Sequence, residues 1–209
     1  MAKITIIGTS HISPRSVKQA RDIILKQKPD CVAVELDAQR FHALLQKKRH
    51  APSITSPMYF VLFHIQHYFG KKTGILPGSE MLSAIRAGRE VNSKIALIDK
   101  NIETITMEMS KISVSEKINI VLKLLGGVFL SPFSTVKKYK FNLRDVPAKR
   151  VIRDAMKYMK HELPTFYKIL VLDRNKHMAK CIKSLSKRYK KIVVVVGAGH
   201  KEGLKRLLK

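Results

Sequence analysis

Lys191-Ile192-Val193-Val194-Val195-Val196-Gly197-Ala198-Gly199-His200 is the stretch that decides the fold. Ile192 to Val196 are all β-branched and apolar, with no polar residue between them. A short unbroken apolar run of this kind belongs to a strand covered on both faces, the usual condition of a parallel strand between helices. Gly197 closes the run. Working outward, three more segments have the same character: Lys3 to Ile7 closed by Gly8, Cys31 to Glu35, and Lys94 to Ile98 ending at Asp99. Between the first two, Ser13-Pro14 signals a helix start, and Val17, Ala20, Ile23 and Ile24 recur at helical spacing up to a Pro29-Asp30 turn. Strand, helix and strand in about 33 residues is the size of a βαβ unit with a parallel pair.

The remaining segments read as helices. Asp37 to Arg49 carries Phe41, Leu44 and Leu45 on one face, and Ser79 caps a helix with Met81, Leu82 and Ile85. Ser113-Val114-Ser115-Glu116 is a capping box that opens a helix to about Leu125. Further helices start at Pro147 and Pro164, the second running to about Tyr189, and a short one spans Gly203 to Arg206. The expected fold class is α/β: a mainly parallel sheet flanked by helices, in one domain over 1–209. Residues 53–77 form an aromatic helical insertion in that domain, and 100–190 a helical section. Tyr59, Phe60, Phe63, Tyr68 and Phe69 in the insertion are expected to cover the cleft or to make a subunit contact in a homo-oligomer.

The chain has 209 residues, with 41 Lys and Arg against 15 Asp and Glu, a net charge of +26. An apolar content of 45% with 27% charged residues is globular and excludes a disordered chain. Cys31 and Cys181 have no partners at metal spacing, which excludes a disulfide scaffold and a zinc ribbon. No signal peptide is visible. The apolar stretches Tyr59 to Phe69 and Ile118 to Phe133 are short or interrupted, whereas a membrane span needs about 20 mostly apolar residues. The expectation is a cytoplasmic protein without a transmembrane segment. Its charge suits anionic surfaces, nucleic acid or lipid, the latter making it membrane-peripheral.

Open parallel sheets bind ligands outside the carboxyl ends of their strands. Here those ends carry Gly8-Thr9-Ser10-His11, Glu35-Leu36-Asp37, Asp99, and Gly197-Ala198-Gly199-His200. The word Gly-x-x-His occurs twice: glycine permits a close turn, and histidine supplies a base or a metal ligand. No P-loop, nucleophile elbow or His-Glu-x-x-His helix is present, and the glycines after Val196 do not have dinucleotide spacing. His64 and His67 in the aromatic segment pack at an interface or ligate metal or haem.

Six words in order then bring in a family. They are Gly8-Thr9-Ser10-His11-Ile12-Ser13; Val34-Glu35-Leu36-Asp37 with Arg40; Gly78-Ser79-Glu80-Met81; Ile98-Asp99; Asp173-Arg174-Asn175; and Val196-Gly197-Ala198-Gly199-His200 with Gly203. The series resembles the TraB/PrgY pheromone-shutdown family, in its archaeal branch, with Tiki in the same superfamily. The resemblance implies an erythromycin-esterase/ChaN-like fold and a metal-dependent, peptidase-like hydrolase. By position it implies His11, Glu35 and His200 as metal ligands, with Glu80 and Arg174 as further polar members. It also places Asp37, Arg40, Asp99, Asp173, Gly8, Gly197 and Gly199 around the cleft. Lys100 stands where the family usually carries arginine, and the membrane-spanning tail of many relatives is not seen, so a soluble stand-alone form is expected.

Two imidazoles and a carboxylate suit Zn²⁺, Mn²⁺ or Co²⁺ with a position open for water. Glu80 is then the candidate general base, and Arg174 the group for a substrate carboxylate or oxyanion of a small peptide. His11 as a base in a metal-free route uses the same residues. The alternatives are a non-catalytic protein that binds a peptide or haem in the same cleft, and a basic protein on nucleic acid or a membrane surface.

Overall fold

The computed structural model describes residues 2–9, 14–46, 78–129 and 149–209. Four strands form one parallel sheet: β1 (Lys3–Thr9), β2 (Cys31–Val34), β3 (Lys94–Leu97) and β4 (Lys191–Gly197). The order is β1-β4-β2-β3, so the last strand in sequence lies between the first two. Among the described residues the helices are α1 (Pro14–Gln27), α2 (Ala38–Leu45), α3 (Ser79–Glu90), α4 (Ile102–Ser110), α5 (Val114–Phe129), α6 (Lys149–Glu162), α7 (Pro164–Tyr167), α8 (Asp173–Ser186) and α9 (Ala198–Leu207). The expected α/β class with a parallel sheet is the observed one.

The sheet is apolar on both faces, and the period of two shows which residues go where. Val32 and Val34 of β2 join Val193 and Val195 of β4 under Ala20 and Ile24 of α1 and Met81, Ala84 and Ile85 of α3. Cys31 and Ala33 join Ile192, Val194 and Val196 on the other face, under Met178 and Ile182 of α8 and Leu204 of α9. A run of five apolar residues is therefore needed in β4, because neither face meets water. α3 enters through Gly78, whose φ of 90° suits glycine and which sits against Leu44 of α2. A third cluster of Ile105, Met109, Ile112, Ile120, Leu163, Phe166 and Ile169 ties α4, α5 and α7 together.

The boundaries that position the site differ from the sequence reading. β1 does not stop at Ile7. It continues through Gly8 and Thr9, which pair with Val196 and Gly197, because β4 offers backbone partners that far. Gly199 and His200 are not a loop before a short helix at Gly203. α9 begins at Ala198, directly after Gly197, so His200 stands in its first turn. The segment expected from Pro164 to Tyr189 is helical to Ser186, but Lys168–Leu172 within it is a π-helix, where the Asp173 N–H bonds to Lys168 O. The aromatic insertion over 53–77, with His64 and His67, lies outside the described residues.

Candidate functional site

The carboxyl edge of the sheet gathers a buried charged cluster. Glu35 follows β2, Asp99 follows β3, and His200 follows β4; all three are buried. β4 lies beside β2, and the Glu35 N–H bonds to Val195 O at 3.1 Å, which brings Glu35 beneath the start of α9. There Glu35 Oε2 accepts the Gly197 N–H at 2.6 Å, at the positive end of that helix.

Arg174 crosses from α8 to bind both carboxylates. Its Nη2 donates to Glu35 Oε1 and, at 2.6 Å, to Asp99 Oδ2; its Nε donates to Asp99 Oδ1 at 3.0 Å. Its Nη1 donates to Leu170 O at 3.2 Å, in the π-helical segment. Among the described residues that leaves one Nη1–H of the five guanidinium N–H groups. π-helical insertions recur at functional sites, and this one immediately precedes the Arg174 turn. Asp99 is further bound by Arg40 Nη2, and its Oδ1 accepts the Lys100 N–H at 2.8 Å. Asp37 caps α2 by accepting the Arg40 N–H at 3.0 Å and also binds Arg40 Nε. Burial opposes the charge on Asp99, but the Arg174 guanidinium, with help from Arg40, outweighs it and holds the carboxyl below its ordinary range. Burial likewise opposes the charges of Arg174 and Arg40, and the facing carboxylates more than restore them.

His200 completes the cluster. Its Nδ1 is 2.8 Å from Asn175 Oδ1, and its Nε2 is 3.3 Å from Glu35 Oε1. An amide oxygen only accepts, so Nδ1 carries the hydrogen. Nε2 is then directed at the Glu35 carboxylate.

The chain matches the family model described as TraB/PrgY/gumN over residues 2–209. It belongs to the TraB/PrgY/gumN family. An uncharacterized protein of Methanocaldococcus jannaschii is 32% identical over 99% of the chain, and the match covers 53% of that relative. The chain thus spans about half the length of the curated relative it matches.

Of the residues that the family resemblance named, the structure brings together Glu35, Asp37, Arg40, Asp99, Arg174 and His200. Gly197 caps α9, Gly199 lies under Met156, and Gly8 packs on Ala198 and Lys201 at the end of β1. Glu80 is fully buried in the first turn of α3. Asp173 does not join the cluster; it binds Lys168 Nζ at 2.6 Å on the outside of α8. His11 lies outside the described residues, two positions beyond Thr9, which pairs with Gly197. Among the described residues no three metal-ligating side chains converge. Two supporting residues were missed by sequence reasoning as site members. Asn175 orients His200, and Gly203 makes room for Asn175, because a Cβ there would lie 2.3 Å from Asn175 Nδ2. The signal was available: Asn175 stands next to Arg174, and Gly203 one helical turn after His200.

Proposed function

We propose that this member of the TraB/PrgY/gumN family is a metal-assisted hydrolase of small peptides, with its reaction centre at the carboxyl edge of β1, β4 and β2. The observation that carries the reading is the setting of His200: Asn175 takes Nδ1 at 2.8 Å and turns Nε2 toward Glu35 Oε1 at 3.3 Å. A carbonyl oxygen on one ring nitrogen is the outer-shell partner that metal-ligating histidines usually have, and it leaves Nε2 as the ligating atom. The donor spacing fits as well, since two ligands with bonds of ~2.1 Å to a tetrahedral zinc stand about 3.4 Å apart.

His200 Nε2, Glu35 Oε1 and His11 are the residues that would hold a divalent ion such as Zn²⁺, Mn²⁺ or Co²⁺. A bound ion of this kind lowers the pKa of a coordinated water to ~7 and so supplies a nucleophile for an amide. Arg174 fixes Glu35 in place, and its remaining Nη1–H is available to a substrate oxygen. Glu80 is the candidate base to be tested.

The test is metal content and peptide hydrolysis for the wild type and three variants. His200→Ala should lose both metal and turnover. Asn175→Ala should weaken metal about 10–100-fold, the usual effect of removing an outer-shell partner. Glu80→Gln should keep metal and lose about 10²–10⁴ in rate. A metal-free wild type that hydrolyses no peptide would overturn the proposal and leave a binding protein in the same cleft.

A further inference from the structure

Outside the buried cluster, the outer face of α8 has a composition its packing does not explain. Lys176, Lys180, Lys183 and Lys187 follow one another at spacings of four, three and four, all exposed. That spacing keeps them on one side of the helix, over an axial length of about 16 Å. None of the four makes an ion pair or a hydrogen bond through its side chain among the described residues, and the acid of this helix, Asp173, is held by Lys168. Like charges at such spacing work against a helix. The opposite face of α8, Met178 and Ile182, is fixed in the core against β4, so the row is rigidly presented. Lys176, Lys180 and Lys183 line a hollow of about 320 Å³ with Ala179 and, from α9, Leu207. Arg206 and Lys209 are exposed beyond it.

We infer that this face of α8 is a docking surface for the phosphate backbone of double-stranded nucleic acid. The row is cationic, straight and unpaired among the described residues, as contacts to a regularly charged backbone require. Among the described residues none that lines the hollow is aromatic, so the hollow lacks the stacking platforms by which single strands are held. The apolar side of α8 is committed to the core, so the helix cannot insert in a bilayer as amphipathic membrane helices do. Each of the four lysines can neutralise one phosphate, so the row supplies about four contacts. The contact reads charge and spacing, not bases.

The experiment is titration of a fluorescent random-sequence 20-base-pair duplex at several salt concentrations, with full-length wild type and two quadruple variants. One variant changes Lys176, Lys180, Lys183 and Lys187 to Gln. The other changes Lys18, Lys26, Lys94 and Lys111 to Gln, residues that are exposed elsewhere, so both lose the same charge. Four phosphate contacts contribute about −3.6 to the slope of log K against log salt, which is about 10²-fold in affinity between ~50 and ~200 mM. The α8 variant should lose most of that slope, and the control should keep it. Circular dichroism of both variants confirms that each is folded. Equal losses in the two variants would overturn the inference, because net charge alone would then account for binding. So would wild type that binds phosphatidylserine vesicles or single strands but not the duplex.

Discussion

Gly203→Ala is the sharpest test of how the site is built. In an ordinary helix interior this change stabilises by about 0.5–1 kcal/mol, because alanine loses less backbone entropy on folding than glycine. Here the new Cβ would stand 2.3 Å from Asn175 Nδ2 and 3.2 Å from its Cγ. Ordinary contact needs about 3.5 Å, so the two must separate by about 1 Å. Asn175 is a short, buried side chain and has no flexible end with which to yield. Either it rotates off His200 or α9 lifts from α8. Overpacking costs about 1–3 kcal/mol, and a buried hydrogen bond left unmade about 1–3 kcal/mol more. The expected loss is about 2–5 kcal/mol, or roughly 4–20 °C in Tm for a chain of this size. The assay is a double-mutant cycle by denaturant unfolding. Asn175→Ala alone removes the His200 partner and should cost about 1–3 kcal/mol. In that background the clashing amide is gone, so adding Gly203→Ala should be neutral or stabilising, the sign reversed from wild type. Additive losses in the double variant would refute the contact, and with it the assignment of Asn175 as the orienting group of His200.

Other outcomes follow from the same cluster. Arg174→Met leaves Glu35 and Asp99 facing each other with a cation removed, and should cost about 3–5 kcal/mol at neutral pH. Because the two carboxyls then protonate more readily in the folded state, that loss should shrink as pH falls; a loss independent of pH would contradict the pairing. In the wild type, Asp99 is held below its ordinary value of 3.8. Its contribution to stability is fully present above that value and disappears as pH falls through the lowered one. Asp99→Asn should therefore flatten the acid limb of the stability profile, measured by thermal melts between about pH 2 and 7. Burial, with Asp30 nearby, pushes the Cys31 thiol up to about 11, while Cys181 is only half-buried. Native alkylation mapped by mass spectrometry should modify Cys181 first, and equal labelling would show that β2 opens.

The sheet was legible because its strands are local signals. A β-branched run with no polar residue, such as Ile192 to Val196, admits few other readings. Their order was not legible, because nothing in a strand's own residues says that β4 lies between β1 and β2. The crevice rule for parallel sheets nonetheless placed Glu35, Asp99 and His200 at one edge, since it depends only on strand direction. Arg174 came from family resemblance; its reach across to Glu35, 139 positions away, has no periodicity to announce it. The start of α9 was misjudged for a local reason. Glycine at 197 and 199 reads as a turn, but here it lets helix and strand approach closely, with Gly199 under Met156. The π-helical turn before Arg174 also has no sequence mark, as Ile169, Leu170 and Val171 suit any helix.

The place of β4 in the sheet has a consequence for how the protein is made. Lys3 pairs with Lys191, so β1 finds its hydrogen-bonding neighbour only after 188 further positions. β2 likewise waits for β4 on one side. At synthesis rates of about 5–20 residues per second, roughly 8–30 s separate the appearance of β2 from that of β4. During that interval the apolar faces of β1, β2 and α1 exist without the strand that joins them, the condition in which nascent chains stick to one another. The +26 charge is then an asset before folding as well as after it, because like-charged chains repel. Lys26 and Lys28 flank the second strand on one side and Lys3 opens the first, where charges hinder edge-to-edge pairing of unfinished chains.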